Sequence, residues 1–152
     1  MDGNIVSVKR VIQAPPNKIF ELLADPAQHS VIDGSGTVVG AKSPQGKQLE
    51  LGDTFGMSMK MGIGYSMVNT VTEFEADRRI TWQAKPPGRM GKFLAGRMWR
   101  YELEPVDGGT LVTESWDISQ DKQRFLLKHS PLPKKTEQNM SKTLEKIEEL
   151  VG

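Results

Sequence analysis

The sequence predicts an α+β fold in which one antiparallel sheet is covered by a C-terminal helix. Three observations carry that reading. Six strand-like runs rich in Val, Thr, Tyr, Phe and Trp fill the middle of the chain: "TVVGAK", "DTFGMSMKM", "YSMVNTVTEFE", "RRITWQAK", "MWRYELEP" and "TLVTESWDI". Most of their joins are short and marked by Gly, Pro or Asp ("SPQG", "GIG", "EAD", "PPG", "DGG"), as antiparallel neighbours require. In the tail "NMSKTLEKIEELVG", Met140, Leu144, Ile147 and Val151 recur at helical spacing, with Lys142, Lys146, Glu148 and Glu149 elsewhere around the helix.

Ahead of the six runs, "NIVSVKRVIQ" is β-branched and reads as a first strand that stops at "APP". Pro16 then opens "PNKIFELLAD", where Ile19, Phe20, Leu22 and Leu23 follow a helical pattern. "DPAQHSVID" reads as a second short helical piece closed by the turn "DGSG". Between the last strand and the tail, "QDKQRFLLKHSPLPKK" predicts an irregular or partly helical approach. A sheet with one face to bury and a long amphipathic helix to cover it form one core, so residues 1–152 read as a single domain. A chain of 152 residues can bury roughly 70% of its unfolded surface without staples.

The last hairpin fixes which face looks inward. With Val106–Gly109 as the loop, Pro105 faces Thr110, Leu103 faces Val112, Tyr101 faces Glu114, and Trp99 faces Trp116. One face then carries Leu103, Val112, Tyr101, Trp99, Trp116 and Glu114, and the other Arg100, Glu102, Glu104, Thr113 and Ser115. Glu114 is thus a carboxylate expected among aromatics. It reads either as a rim position or buried salt bridge to Arg79 or Arg97, or as a pocket carboxyl with a raised pKa.

A second feature is "FGMSMKMGIGYSM", which holds four of the eight methionines. Phe55, Met57, Met59 and Met61 alternate along one strand face. Flexible thioethers either fill an ordinary core or line a surface that accepts apolar partners. Gly56, Gly62 and Gly64 flank the stripe and are expected to thin the packing, which favours a cavity.

Other chemistry is excluded or weak. No cysteine is present, so disulfides, thiol catalysis, Cys-based zinc sites and iron–sulfur clusters are ruled out. Twenty basic and nineteen acidic side chains give a net charge of +1, unlike the basic face of a nucleic-acid binder. No apolar run approaches the ~18 residues of a membrane span, and "MDGNIVSVKR" lacks a signal-peptide core, so a soluble cytoplasmic protein without stable membrane insertion is expected. His29 and His129 have no partner at metal-ligand spacing, though Asp33 follows His29 by four, and no metal site is expected. "GSGTVVG" is not a dinucleotide fingerprint, and neither a GxSxG nor a Walker A motif occurs, so no cofactor is expected. The segment "AKPPGRMGKFLAGR" carries Lys85, Arg89, Lys92 and Arg97 around Met90, Phe93 and Leu94. It reads as a solvated loop with apolar anchors, or as a gate whose cations attract an anionic head group or a membrane surface.

"VKRVIQAPPNKIFELLADPAQH", "LGDTF", "VTEFEADRRITW", "WRYELEPVDGGTLVTESWD" and "NMSKTLEKIEELV" resemble, in order and over nearly the whole chain, the SRPBCC superfamily. This is the START-like group that includes the polyketide cyclase/dehydrase family and the birch-pollen-allergen proteins. The resemblance implies a helix-grip fold: a seven-stranded antiparallel sheet curled around the long C-terminal helix, with two short helices after the first strand closing one end. It also implies a deep, mostly apolar cavity that commonly holds lipids, sterols, polyketides or hormones, and it places His29 near the cavity mouth. No catalytic signature carries over by residue.

Three functions follow as expectations. The first is binding of a small hydrophobic molecule between the sheet (Met57, Met59, Tyr65, Met67, Trp99, Tyr101, Glu114, Trp116) and the terminal helix (Met140, Leu144), with Glu114, Tyr101, Tyr65 or His29 orienting it. The second is a polyketide cyclase/dehydrase-like enzyme with Glu114 or His29 as acid/base and Tyr101 or Tyr65 as donor. The third is a protein-interaction module with a filled core and an exposed apolar patch.

Overall fold

Seven strands hydrogen-bond into one sheet in the order β1-β7-β6-β5-β4-β3-β2, every neighbouring pair antiparallel. They are β1 (Ile5–Ile12), β2 (Val38–Lys42), β3 (Thr54–Met61), β4 (Ile63–Glu75), β5 (Arg79–Lys85), β6 (Met98–Val106) and β7 (Gly109–Asp117). Among the described residues four helices complete the fold: α1 (Pro16–Leu23), α2 (His29–Ile32), α3 (Arg124–Lys128) and α4 (Leu132–Val151). A 3-10 turn, Pro26–Gln28, leads into α2. This computed structural model describes residues 3–42, 48–61, 63–88 and 96–152. Half of the "AKPPGRMGKFLAGR" connection, including Met90, Phe93 and Leu94, lies outside them, as does the "SPQG" join. Among the described residues, no helix is long and apolar enough to cross a membrane.

The hairpin register read from the sequence is the one observed: Pro105 pairs with Thr110, Leu103 with Val112, Tyr101 with Glu114 and Trp99 with Trp116. Two departures matter. Strand β4 starts at Ile63, so the "GIG" segment is largely strand and Met61 pairs directly with Ile63. Helix α4 begins at Leu132, seven residues before the periodic stretch, because prolines are tolerated in a first turn whose N–H groups have no helical partner. The approach to it contains the short helix α3, in line with the partly helical run expected there.

Two irregularities bend the sheet. A bulge between Val71 and Glu73 shifts the register of β4 against β5, so that Val71 and Phe74 both serve the inner face. A second shift lies between Val38 and Gly40 in β2. Outside the curve, Glu73 accepts from Thr81 at 2.9 Å, Arg100 at 3.1 Å and Arg79 at 3.2 Å, while Arg79 also reaches Glu102 at 2.8 Å. These half-exposed ion pairs contribute little each.

The inner face meets α4. Met140, Leu144 and Ile147 are fully buried, each contributing about 1.5–3 kcal/mol of burial. Most of the core gathers around α1, the C-terminal half of α4 and the strand ends carrying Ile12, Leu103 and Val112. A second cluster joins Val6, Trp116, Ile118 and Met140. The Arg10 guanidinium donates to Glu148 at 2.8 Å, fixing α4 to β1.

At the other side α4 is held by the turn after α2. Gly34 N–H donates to Thr143 Oγ1 at 2.8 Å, and Lys146 Nζ donates to the Asp33 carbonyl at 2.9 Å. A Cβ on Gly34 would stand 2.2 Å from the Asn139 carbonyl oxygen and 2.6 Å from Thr143 N, both backbone atoms of the helix. Gly34→Ala is therefore expected to destabilise the fold by about 1–3 kcal/mol in urea unfolding. Gly56→Ala, where a Cβ meets nothing within 4 Å, is the control and is expected to be neutral or slightly stabilising.

Candidate functional site

Between the concave sheet and α4 lies a cavity of about 810 Å³, within the range of sites for small molecules. An interaction module without a ligand site would have a filled core here. The methionine stripe forms one wall. Met57 pairs across the ladder with Met67, and Met59 with Tyr65, so all four side chains share the inward face. Tyr65 is 39% exposed and stands at the rim. The opposite wall is aromatic: Trp82 pairs with Trp99, and Trp99 with Trp116. Thr136, Asn139, Met140 and Thr143 of α4 form the roof.

Nine of the ten ligand-contact residues expected from the sequence line this cavity: Met57, Met59, Tyr65, Met67, Trp99, Tyr101, Glu114, Trp116 and Met140. Leu144 does not. One turn beyond Met140, it is packed into the core cluster with Ile12, Leu23 and Ile147, where sheet and helix have already closed on each other. The glycines also act differently from expectation. Gly56 and Gly64 alternate with the inward side chains and so belong to the outer face, where they thin nothing in the cavity. Gly62 lies outside the described residues.

Glu114 is 2% exposed and faces neither arginine proposed for it. Arg79 is engaged by Glu73 and Glu102 on the outer face, and Arg97 donates to Asp121 at 3.1 Å. Its neighbour is Tyr101, whose hydroxyl hydrogen-bonds the carboxyl. Oε1 has no hydrogen-bond partner among the described residues. Burial drives the Glu114 pKa up to about 8; the Tyr101 hydrogen bond lowers it and the nearby charge of Asp33 raises it. At neutral pH the group is mostly a carboxylic acid, able to donate. Burial, then Glu114, hold the Tyr101 phenol well above its ordinary value.

His29 opens α2, where the 3-10 turn carries the chain inward. Its Nε2 lies 2.9 Å from the Leu23 carbonyl. A carbonyl only accepts, so Nε2 holds the proton and Nδ1 presents a lone pair when the ring is neutral. Burial lowers its pKa, which keeps it neutral at pH 7. The ring stacks on Trp82 at 4.8 Å and meets the edge of Phe55 at 5.2 Å. Trp82 in turn contacts Tyr101 at 5.6 Å, joining His29 to the Glu114 pair through one aromatic layer. His129, by contrast, is an exposed residue beside the Phe125 ring.

Sequence reasoning missed Asn69 and Trp82. Asn69 is 1% exposed, pairs with Phe55, lines the cavity, and has an amide nitrogen without a partner among the described residues. The signal was present: Asn69 interrupts the alternation of Met67 and Val71, as Glu114 interrupts Val112 and Trp116. Three buried polar side chains thus line the cavity, each with one atom unpaired among the described residues: Glu114 Oε1, His29 Nδ1 and Asn69 Nδ2. Among the described residues, no group of three or more His, Asp or Glu could hold a metal ion.

The model of a family described as "Polyketide cyclase / dehydrase and lipid transport" matches residues 5–152. An uncharacterised protein of Mycobacterium tuberculosis is 32% identical over 108 residues, 70% of this chain and 44% of that protein. The chain thus spans less than half the length of the curated relatives it matches. Among solved structures, a protein from Nitrosomonas europaea superposes with a TM-score of 0.73 at 17% identity, covering 99% of this chain and 96% of that one. An AHSA1-like protein from Aeromonas hydrophila gives 0.65 at 17% identity over 96% and 93%. At these identities the structures speak for the fold alone, which is the helix-grip arrangement.

The Glu114 shift sets a pH dependence. The folded-state pKa lies above the unfolded value, so the folded state binds more protons between about pH 4.5 and 8. Stability falls as pH rises through that window, by up to ~1.4 kcal/mol per unit, and levels off above it. His29 acts oppositely, since its lowered pKa costs stability only as pH falls below its ordinary value of 6.5. Calorimetry from pH 7 to 9 is therefore expected to show wild-type stability declining and then flattening. Glu114→Gln should remain level across the same range.

Proposed function

Because the chain belongs to the polyketide cyclase/dehydrase and lipid transport family, we propose that it binds a small, mostly apolar molecule in the cavity between sheet and α4. The molecule carries a neutral oxygen function, a carbonyl or hydroxyl, at the Glu114–Tyr101 end. The observation behind this reading is the pairing of an apolar wall with buried, unpaired polar atoms. Burying such an atom unpaired costs about 1–3 kcal/mol, and a ligand oxygen accepting from the Glu114 acid would recover part of that. Beside Glu114 a ligand carboxylate is disfavoured by the nearby charge of Asp33, and Arg97, which lines the cavity, is already paired with Asp121. Lipid-, sterol- and polyketide-like molecules with a ketone or hydroxyl fit this description.

The methionines suit such an occupant. Their side chains can close partly over the space when it is unfilled and part again for ligands of differing outline, which branched residues do less well. Trp82, Trp99 and Trp116 report on occupancy, since all three line the wall. Tryptophan fluorescence should respond to an aromatic ketone and to a hydrocarbon of the same shape, with the ketone binding about tenfold or more tightly. Glu114→Leu should abolish that preference while leaving hydrocarbon affinity within a few-fold. Equal affinity of wild type for the two compounds would refute the polar half of the reading.

A second reading is favoured by one feature. A carboxyl protonated at neutral pH beside a phenol is placed to protonate an enolate or carbonyl oxygen, as an acid in aldol-type cyclisation or dehydration would. The distinction is experimental: an enzyme loses turnover but keeps substrate affinity in Glu114→Gln, whereas a carrier has no turnover to lose.

A further inference from the structure

We propose that the end of the molecule built by α3 and the start of α4 docks on an anionic lipid surface. Helix α3 is anchored by Leu127, which packs on the cluster of Trp116, Ile118 and Met140. Anchoring that side chain turns its two predecessors outward. Phe125 is 71% exposed and Leu126 is 70% exposed, adjacent on one short element. Single exposed apolar residues are ordinary, but a neighbouring pair of large ones on a projecting turn is a patch.

The charge around that patch is predominantly basic, with the exposed Glu137 just beyond it. From Ile118 to Thr136 the chain carries Lys122, Arg124, Lys128, Lys134 and Lys135 and a single acid, Asp121. Asp121 is 1% exposed and already paired with Arg97, so it does not offset the surface cations. The rest of the chain balances this excess, giving a net charge of only +1. An apolar pair set in a field of lysine and arginine is complementary to anionic head groups over acyl chains: the cations attract, and the side chains insert. A protein partner with an acidic rim would share the charge but would normally need a larger, contoured apolar face than two side chains.

The location relates the patch to the cavity. Gln123, Leu132 and Lys135 border both, and the start of β4, with Ile63 77% exposed, lies at the same end of the sheet. Docking there would set the cavity mouth against the lipid. Docking through this surface does not require that the cavity ligand be a lipid.

The test is flotation of the full chain with phosphatidylcholine vesicles, with and without phosphatidylserine, at low and at high salt. Binding to the serine-containing vesicles alone is expected, weakening with salt. Phe125→Ser with Leu126→Ser should reduce it roughly tenfold or more, and Lys128→Gln with Lys134→Gln should reduce it by roughly fivefold per charge. Both pairs are exposed, so thermal melting should stay at the wild-type value. Absence of binding to the anionic vesicles at low salt, equal binding to both compositions, or binding unaffected by the Phe125/Leu126 substitutions would each overturn the proposal. Concentration-dependent self-association that the same substitutions break, without vesicle binding, would assign the patch to a second copy of the chain instead.

Discussion

One helix cannot cover seven strands, and the rest of the structure follows from that mismatch. Strands spaced by ~4.8 Å make a seven-stranded sheet on the order of 30 Å wide, whereas a helix with its side chains spans only about 10–12 Å. Helix α4 rests on β1 and β7 and is fixed there by the Arg10–Glu148 pair. Helix α1 fills one end with Ile19, Phe20 and Leu23. What remains is the space over β3, β4 and β5, and these strands supply the methionines, Asn69 and Trp82 that line it. The cavity is the part of the concave face that α4 roofs without filling. The glycine contact at Gly34 sets how closely the turn after α2 approaches α4, and with it the height of the roof.

Much of this was legible in the chain, for identifiable reasons. Side chains alternate along a strand, so one short loop placed four pairs of β6 and β7 and put Glu114 among aromatics. Helical spacing found the buried stripe of α4. What escaped reading depended on distances between elements. Leu144 sits on the same helix face as Met140, and only the three-dimensional closure of the core separates a lining residue from a packed one. The beginning of α4 was hidden because prolines in a first turn look like helix breakers. The bulge at Val71–Glu73 reverses the parity of β4, which no alternation rule anticipates. Asn69 was overlooked although it broke the apolar alternation in the way Glu114 does.

The chemistry of the site comes from the same geometry. Aromatic rings that bury Glu114 remove its water and leave it one neutral hydrogen-bonding neighbour, so protonation is the cheaper state near neutrality. The ring of His29, stacked on Trp82 and donating to Leu23, is left as an acceptor. At this end the cavity thereby offers a neutral donor and a neutral acceptor. Such a pair suits the neutral oxygen function proposed for the ligand, and it is compatible with carriage or with acid catalysis. Of the basic residues around α3 and the first turn of α4, Lys135 borders the cavity, while Lys122, Arg124, Lys128 and Lys134 are placed to act on a surface rather than on the ligand.

The most direct test is carbon-13 NMR of the Glu114 side-chain carboxyl, assigned by comparison with Glu114→Gln, at pH 7 before and after addition of an aromatic ketone. The resonance should lie at the protonated position in the free protein and shift on saturation with the ketone, while the exposed glutamates do not move. A Glu114 signal at the ionised position, unmoved by the ketone, would contradict both the electrostatics of the site and the binding mode built on it.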